Sequence, residues 1–126
     1  CLKVNFKMKC LDCYALVEIN NGNPKFMRFL EEEVIIPDLI LAEFYGVMYR
    51  RYNKKTADHW FKKLSYLSKK IEMDILIMAV VFRIDNKKRN LSFFDCVGYM
   101  FSKENNMNFV TGDKEFEKFS NVEFVK

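Results

Sequence analysis

A chain of 126 residues is the size of one domain, and with half its residues hydrophobic and 13 Phe it is neither disordered nor low in complexity. Only 4 Gly and 2 Pro exclude a collagen-like chain, no apolar run reaches the ~18 residues of a membrane span, and 4 Cys are too few for a secreted disulfide scaffold, so a reducing cytoplasm is the expected compartment. The net charge of +4 is uneven: residues 49–90 hold 12 basic and 4 acidic side chains, a local +8, which leaves the remainder at −4. Such a distribution suits a polyanion held beside a carboxylate or metal site, and equally suits lysine-rich solvated helix faces.

Residues 7–13 read as a short strand ending near Asp12, followed by a brief helix over Tyr14–Asn20 that stops at the turn Asn20-Asn21-Gly22-Asn23-Pro24. Asn23 before Pro24 starts another helix, with Phe26, Met27, Phe29 and Leu30 as its apolar side. Glu33–Pro37 reads as a buried strand closed by proline, after which Asp38 caps a helix to about Tyr52. A second amphipathic helix, about Lys55–Lys69, turns Trp60, Phe61, Leu64 and Leu67 inward. Ile75–Phe82 is apolar on all sides, which predicts a buried helix preceded by a very short strand near Lys70–Met73. After a charged loop at Asn86–Asn90 come a helix over Ser92–Asn105, a strand at Asn108–Thr111, a short helix at Lys114–Phe119 and a strand at Val122–Val125. Strands alternating with helices predict an α/β domain whose mainly parallel sheet is covered on both faces, with its ligand site beyond the carboxyl ends of the strands.

Four acids stand in unusual places. Asp12 and Asp113 follow predicted strands, while Glu43 and Asp95 are the only charges within long apolar stretches, Leu39–Tyr49 and Leu91–Ser102. Each has an ordinary structural use. Asp12 and Asp113 can cap the helices that follow them, and Ser92 with Asp95 has the spacing of a capping box. Glu43 shares a helical stripe with Leu39, Ile40, Gly46 and Val47, so it needs a partner, either a metal or an arginine such as Arg50. Converging on one sheet edge, four carboxylates would repel each other unless a divalent cation compensated them. An all-oxygen set favours Mg²⁺ or Mn²⁺, which activates water and stabilises the leaving oxygen of a phosphodiester.

The segments Met8-Lys9-Cys10-Leu11-Asp12-Cys13-Tyr14-Ala15-Leu16-Val17-Glu18, Leu41-Ala42-Glu43-Phe44-Tyr45-Gly46, Leu91-Ser92-Phe93-Phe94-Asp95-Cys96 and Val110-Thr111-Gly112-Asp113-Lys114-Glu115-Phe116 together resemble the PIN domain family. No one of these motifs is specific; their ordered set is, and it covers the chain from Met8 to Val125. The resemblance implies a single domain over 1–126, a three-layer α/β/α fold around a parallel sheet of about five strands, and Mg²⁺- or Mn²⁺-dependent endoribonuclease activity leaving 5′-phosphate and 3′-hydroxyl ends. Small members resemble the VapC-type toxins of toxin–antitoxin pairs, usually homodimeric and held in check by a partner protein. Asp12, Glu43, Asp95 and Asp113 match the family's acidic quartet as metal and catalytic residues, and Thr111 matches its Ser/Thr beside the last acid. Cys13-Tyr14 departs from the Thr or Ser followed by Asn of many members, and residues 1–7 precede the usual start, so Met8 is a candidate initiator behind a non-native leader.

Other signals are weaker. Cys10-x-x-Cys13 lacks the second pair of a structural zinc site and reads, with Cys96, as small buried apolar side chains. His59 reads as a surface residue, and no glycine-rich nucleotide motif is present. Tyr45, Tyr49 and Tyr52 among Arg50 and Arg51 suit base stacking, helix packing or a dimer seam. A haloacid-dehalogenase-type phosphatase would want a second Asp where Tyr14 stands. An RNA-processing nuclease of the same fold without an antitoxin, and a non-catalytic PIN-like scaffold for RNA or protein, remain the alternatives.

Overall fold

The computed structural model describes residues 7–126, so the leader expected at residues 1–7 lies outside the described residues apart from Lys7. Five strands, β1 (Lys9–Leu11), β2 (Val34–Pro37), β3 (Ser68–Lys69), β4 (Asn108–Thr111) and β5 (Val122–Phe124), form one sheet in the order β3-β2-β1-β4-β5. All four pairings are parallel, with Cys10 opposite Ile35 and Phe109. Parallel neighbours require crossover connections, supplied here by α1 (Cys13–Asn20), α2 (Pro24–Met27), α3 (Asp38–Arg51), α4 (Lys54–Leu64), α5 (Met73–Asp85) and α6 (Phe93–Glu104). The arrangement is the expected three-layer α/β/α fold.

The core is built on the central strands, where Cys10, Leu11, Ile36, Phe109 and Val110 are fully or almost fully buried. Tyr99, Phe109, Phe116 and Phe119 make a cluster of tilted and edge-on rings with centroids 5.4–6.2 Å apart, the geometry aromatic quadrupoles prefer. Gly98 lets α6 approach this layer closely, since a Cβ there would lie 2.6 Å from Ile40 Cδ1 and 2.7 Å from Phe109 Cε1. That contact seats α6, and with it Asp95 one turn earlier, against α3 and β4.

Several local expectations change. Asp38 is the first residue of α3 and makes no capping bond; Pro37 precedes the helix instead. α4 ends at Leu64, not Lys69, because a 3-10 turn over Ser65–Leu67 brings the chain down to β3, which pairs with Ile36 and Pro37 two residues earlier than the sequence implied. Phe61 points outward at 50% exposure while Leu64 is buried. The final short helix is only a 3-10 turn, Lys114–Phe116. The largest difference is α5: Ile75 and Ala79 are buried, but Met73, Ile77, Val80, Val81 and Ile84 form an exposed apolar stripe. A helix apolar all round has an inner face and a second apolar face, and the sequence pattern cannot tell a single chain's interior from a surface awaiting cover.

Candidate active site

The chain runs from β1 outward to β2 and β3, then returns to the other side of β1 as β4. The strand order therefore reverses at β1, and the crevice beyond the carboxyl ends of β1 and β4 is where such sheets hold ligands. Asp12 follows β1 and Asp113 follows β4 by two residues, so the topology alone puts two carboxylates at that crevice. α3 and α6 bring the other two. A cavity of about 460 Å³ is lined by Asp12, Glu43, Asp95 and Asp113 together with Cys13, Tyr14, Gly112, Lys114 and Lys126.

The capping roles and the site roles turn out to be compatible. Asp12 caps α1 through Oδ1, which accepts the Ala15 N–H at 2.8 Å, but its Oδ2 is buried without any partner. Asp113 Oδ1 accepts from the Glu115 N–H at 3.0 Å and so starts the 3-10 turn. The α6 cap is Ser92, whose Oγ accepts the Asp95 N–H at 3.1 Å, while the Asp95 carboxyl lines the cavity. Thr111 is fully buried, accepts the Asp113 N–H on Oγ1 at 3.0 Å and lies beside the Asp12 carboxyl, where it favours the ionised form. It is a positioning residue linking two of the acids. Gly112 between them has no room for a side chain, because a Cβ would run into the Tyr14 ring and lie 2.7 Å from the Val125 carbonyl oxygen.

Glu43 is half-buried at the margin of the α3 core face, which consists of Ile40, Leu41, Phe44 and Met48 rather than the expected Leu39, Gly46 and Val47. Its Oε1 is buried without a partner, and among the described residues neither Arg50 nor any other cation forms an ion pair with it. The same holds for the other three acids. Burial first, and then the Asp95 charge, push the Asp12 carboxyl well above its usual range. Burial followed by the charge of Asp95 raises Glu43 to about 7. Asp95 rises to about 6 through burial, with Asp113 adding to the shift and a Ser92 hydrogen bond opposing it. The ionised Asp95 is thus a cost to Asp12 and Glu43, and the ionised Asp113 a cost to Asp95.

As the side chains stand, no group of three His, Cys, Asp or Glu among the described residues is close enough to enclose a metal ion. The donor set nevertheless fits a hard divalent cation. Two buried carboxylate oxygens, Asp12 Oδ2 and Glu43 Oε1, lack partners in a cavity where four acids meet and, among the described residues, none is paired with a cation.

Cys13, Lys114 and Lys126 also line the cavity, and the sequence reading gave none of them a part in the site. Cys13 and Lys114 directly follow two of the acids, so adjacency was an available signal; Lys126 arrives only because β5 pairs with β4. Cys10 and Cys96 are buried as expected, but Cys13 is only partly so. His59 is exposed.

Comparison with known proteins bears on the fold and the family. No curated protein sequence matches the chain. Mycobacterium tuberculosis VapC20, described as a sarcin-ricin loop cleaving toxin, superposes with a TM-score of 0.76 at 18% identity, over 93% of this chain and 96% of that one. VapBC2 of Rickettsia felis, bound to a DNA fragment from its promoter, gives 0.76 at 19% identity over 94% and 99%. A toxin–antitoxin complex from Klebsiella pneumoniae gives 0.74 at 18% over 91% and 95%. These likenesses concern the fold. The PIN domain family model matches residues 9–122, nearly the whole described chain with all four acids inside it, and the chain belongs to that family.

Proposed function

We propose that the protein is a Mg²⁺- or Mn²⁺-dependent endoribonuclease, the toxin of a toxin–antitoxin pair. The observation that carries the reading is the convergence of Asp12, Glu43, Asp95 and Asp113 on one open cavity, with two buried carboxylate oxygens unpartnered and, among the described residues, no ion pair to any of the four. Those four residues would hold the cation, which on binding would polarise a scissile phosphate and activate water against it. Asp12 and Asp113 stand on the ends of adjacent strands and fix the floor of the site, and Thr111 holds them in register through the Asp113 N–H. Lys114 and Lys126 at the rim supply positive charge for the phosphates flanking the cleaved bond. The exposed lysines of α4 extend the basic surface for the RNA backbone.

The exposed stripe of α5 supports a homodimer, since an apolar face of five large side chains is a liability on a lone subunit in the cytoplasm. A second apolar cleft between α3 and α4, lined by Leu41, Ala42, Tyr45 and Phe61, suits the apolar face of an antitoxin helix. None of the helices described is long and apolar enough to cross a membrane.

The test is cleavage of RNA by purified protein. Mn²⁺-dependent cleavage giving 5′-phosphate ends, abolished by chelation and by Asp12→Asn in a variant with an unchanged circular dichroism spectrum, is the expected result. Full activity in Asp12→Asn, or activity indifferent to chelator, refutes it.

A further inference from the structure

The turn that joins α5 to α6 gathers positive charge outside the acidic cavity. A cleft of about 500 Å³ opens there, lined by Arg83, Lys87 and Arg89 together with Ile84, Leu91 and Phe93. No acid lines it, and among the described residues none of its three cations forms an ion pair with Asp85 or any other carboxylate. Backbone holds the two guanidinium groups instead. Arg83 Nε donates to the Leu91 carbonyl oxygen at 2.9 Å. Arg89 Nη1 donates to the Glu115 carbonyl oxygen at 3.2 Å, with the guanidinium 4.8 Å over the Phe119 ring. Neutral carbonyls fix the direction of each group without cancelling its charge, and leave further N–H donors on each fork. Lys87 is exposed beside them.

This cleft adjoins the candidate active site in two ways. Phe93 lines the cleft and Asp95 the acidic cavity, and residues two apart on a helix stand about 200° apart, so the two hollows lie on either side of the first turn of α6. Arg89 also reaches Glu115, whose own N–H is bound by Asp113 Oδ1. A polyanion entering a cavity of four carboxylates is repelled, and fixed cations next door offset that repulsion. Guanidinium forks match phosphate oxygens, and a partly buried phenyl ring offers its face to a base. We propose that the cleft binds an unpaired nucleotide of the RNA strand beside the cleaved bond, its phosphate on Arg83, Lys87 and Arg89 and its base against Phe93. The inference rests on the reading of the protein as a ribonuclease. A base reaches Phe93 only when it has left its own stack, so the cleft selects RNA that is single-stranded next to the cut. Ile84 also ends the exposed stripe of α5, which makes a second copy of the chain the competing occupant.

The probe is a short fluorescein-labelled single-stranded RNA, with the duplex of the same sequence as control, titrated in chelator so that neither is cut. Wild type should prefer the single strand. Phe93→Leu should weaken single-strand binding by about tenfold and leave duplex binding unchanged. Replacing Arg83, Lys87 and Arg89 by Gln should lower the logarithmic salt slope by roughly 2. If loss of the Arg83–Leu91 bond disturbs folding, Lys87→Glu reverses a charge at an exposed position and should weaken binding by itself. Sedimentation should give Lys87→Glu the same oligomeric state as wild type. Affinity and salt slope unchanged in the cation variants overturn the proposal, as does a Phe93→Leu variant that binds both RNA forms as wild type does or loses both equally. A wild-type preference for the duplex also overturns it. So does a changed oligomeric state in Lys87→Glu, which assigns the cleft to a subunit contact. If wild type cleaves RNA with Mn²⁺ while giving any of these results, the ribonuclease stands without this subsite. A wild type that neither binds nor cleaves RNA refutes both.

Discussion

Replacing Asp95 by Asn should stabilise the metal-free protein while destroying the proposed metal site. The raised value of about 6, against 3.8 for a free aspartate, means that the folded state holds the Asp95 proton more tightly than the unfolded chain does. That contribution favours folding fully below pH ~4 and is lost as the pH rises through ~6, because the folded state binds more protons across that window. At pH 8 the ionised carboxylate therefore costs about 3 kcal/mol relative to a solvated one. Asparagine keeps the shape and can still accept from Ser92, but carries no charge. Urea unfolding in chelator should show Asp95→Asn more stable than wild type by about 2–3 kcal/mol at pH 8, close to a 10 °C rise in Tm for a domain of this size, and by almost nothing at pH 4. Saturating Mn²⁺ should stabilise wild type and largely spare the variant, which binds it weakly. If the variant is less stable than wild type at pH 8, or gains equally at both pH values, the acids are not straining one another and the argument fails.

Glu43→Gln separates a metal residue from a structural ion pair: metal-free stability at pH 8 should hold or improve while Mn²⁺ affinity and cleavage fall together. A metal-independent loss of roughly 3–5 kcal/mol would instead reveal a buried ion pair. Mn²⁺ affinity should itself rise steeply with pH across about 6 to 7, where Asp95 and Glu43 give up their protons, and calorimetry at several pH values should detect matching proton release. Neutralising Lys54, Lys55, Lys62 and Lys63 should weaken RNA binding and flatten its salt dependence. Lys54 already faces Asp58 at 2.8 Å, so three free cations at ~0.7 each predict a change in slope of roughly 2. An unchanged slope marks these lysines as ordinary solvated charges.

Much of the fold could be read from the chain because its signals are local. Asn23 caps α2 through its side chain, and Ser92 caps α6 through its own, as their positions before Pro24 and three residues before Asp95 required. Buried parallel strands as short as β1 and β4 were still legible, since an apolar run ending in a polar residue marks where the chain leaves the sheet. What failed depended on partners distant in sequence. The end of α4 is set by where β3 must meet β2, and the outward turn of Phe61 by its edge-on packing with Tyr45 of α3, at 6.4 Å between centroids. For α5, a second apolar face looks the same in sequence whether this chain or another molecule covers it.

The candidate site was legible for a different reason: charge in an apolar stretch is expensive, so each isolated acid marked itself. Yet isolation alone could not distinguish a cap from a ligand. The structure shows why the choice was false. A carboxylate has two oxygens, and Asp12 spends Oδ1 on the start of α1 while Oδ2 is left buried and unpartnered. The cap fixes the direction in which the second oxygen stands, and fixed direction is what a weakly held hard cation needs from its ligands. The energetics run the same way. Acids held rigidly in one cavity cannot move apart, so their repulsion adds to the larger effect of burial in raising Asp12, Glu43 and Asp95. On the proposed metal reading, preorganisation for a cation and instability without it are one property of the buried acids Asp12, Glu43 and Asp95. Any substitution that relieves the strain should therefore weaken the metal, and one that improves both would show that the carboxylates owe their positions to something else.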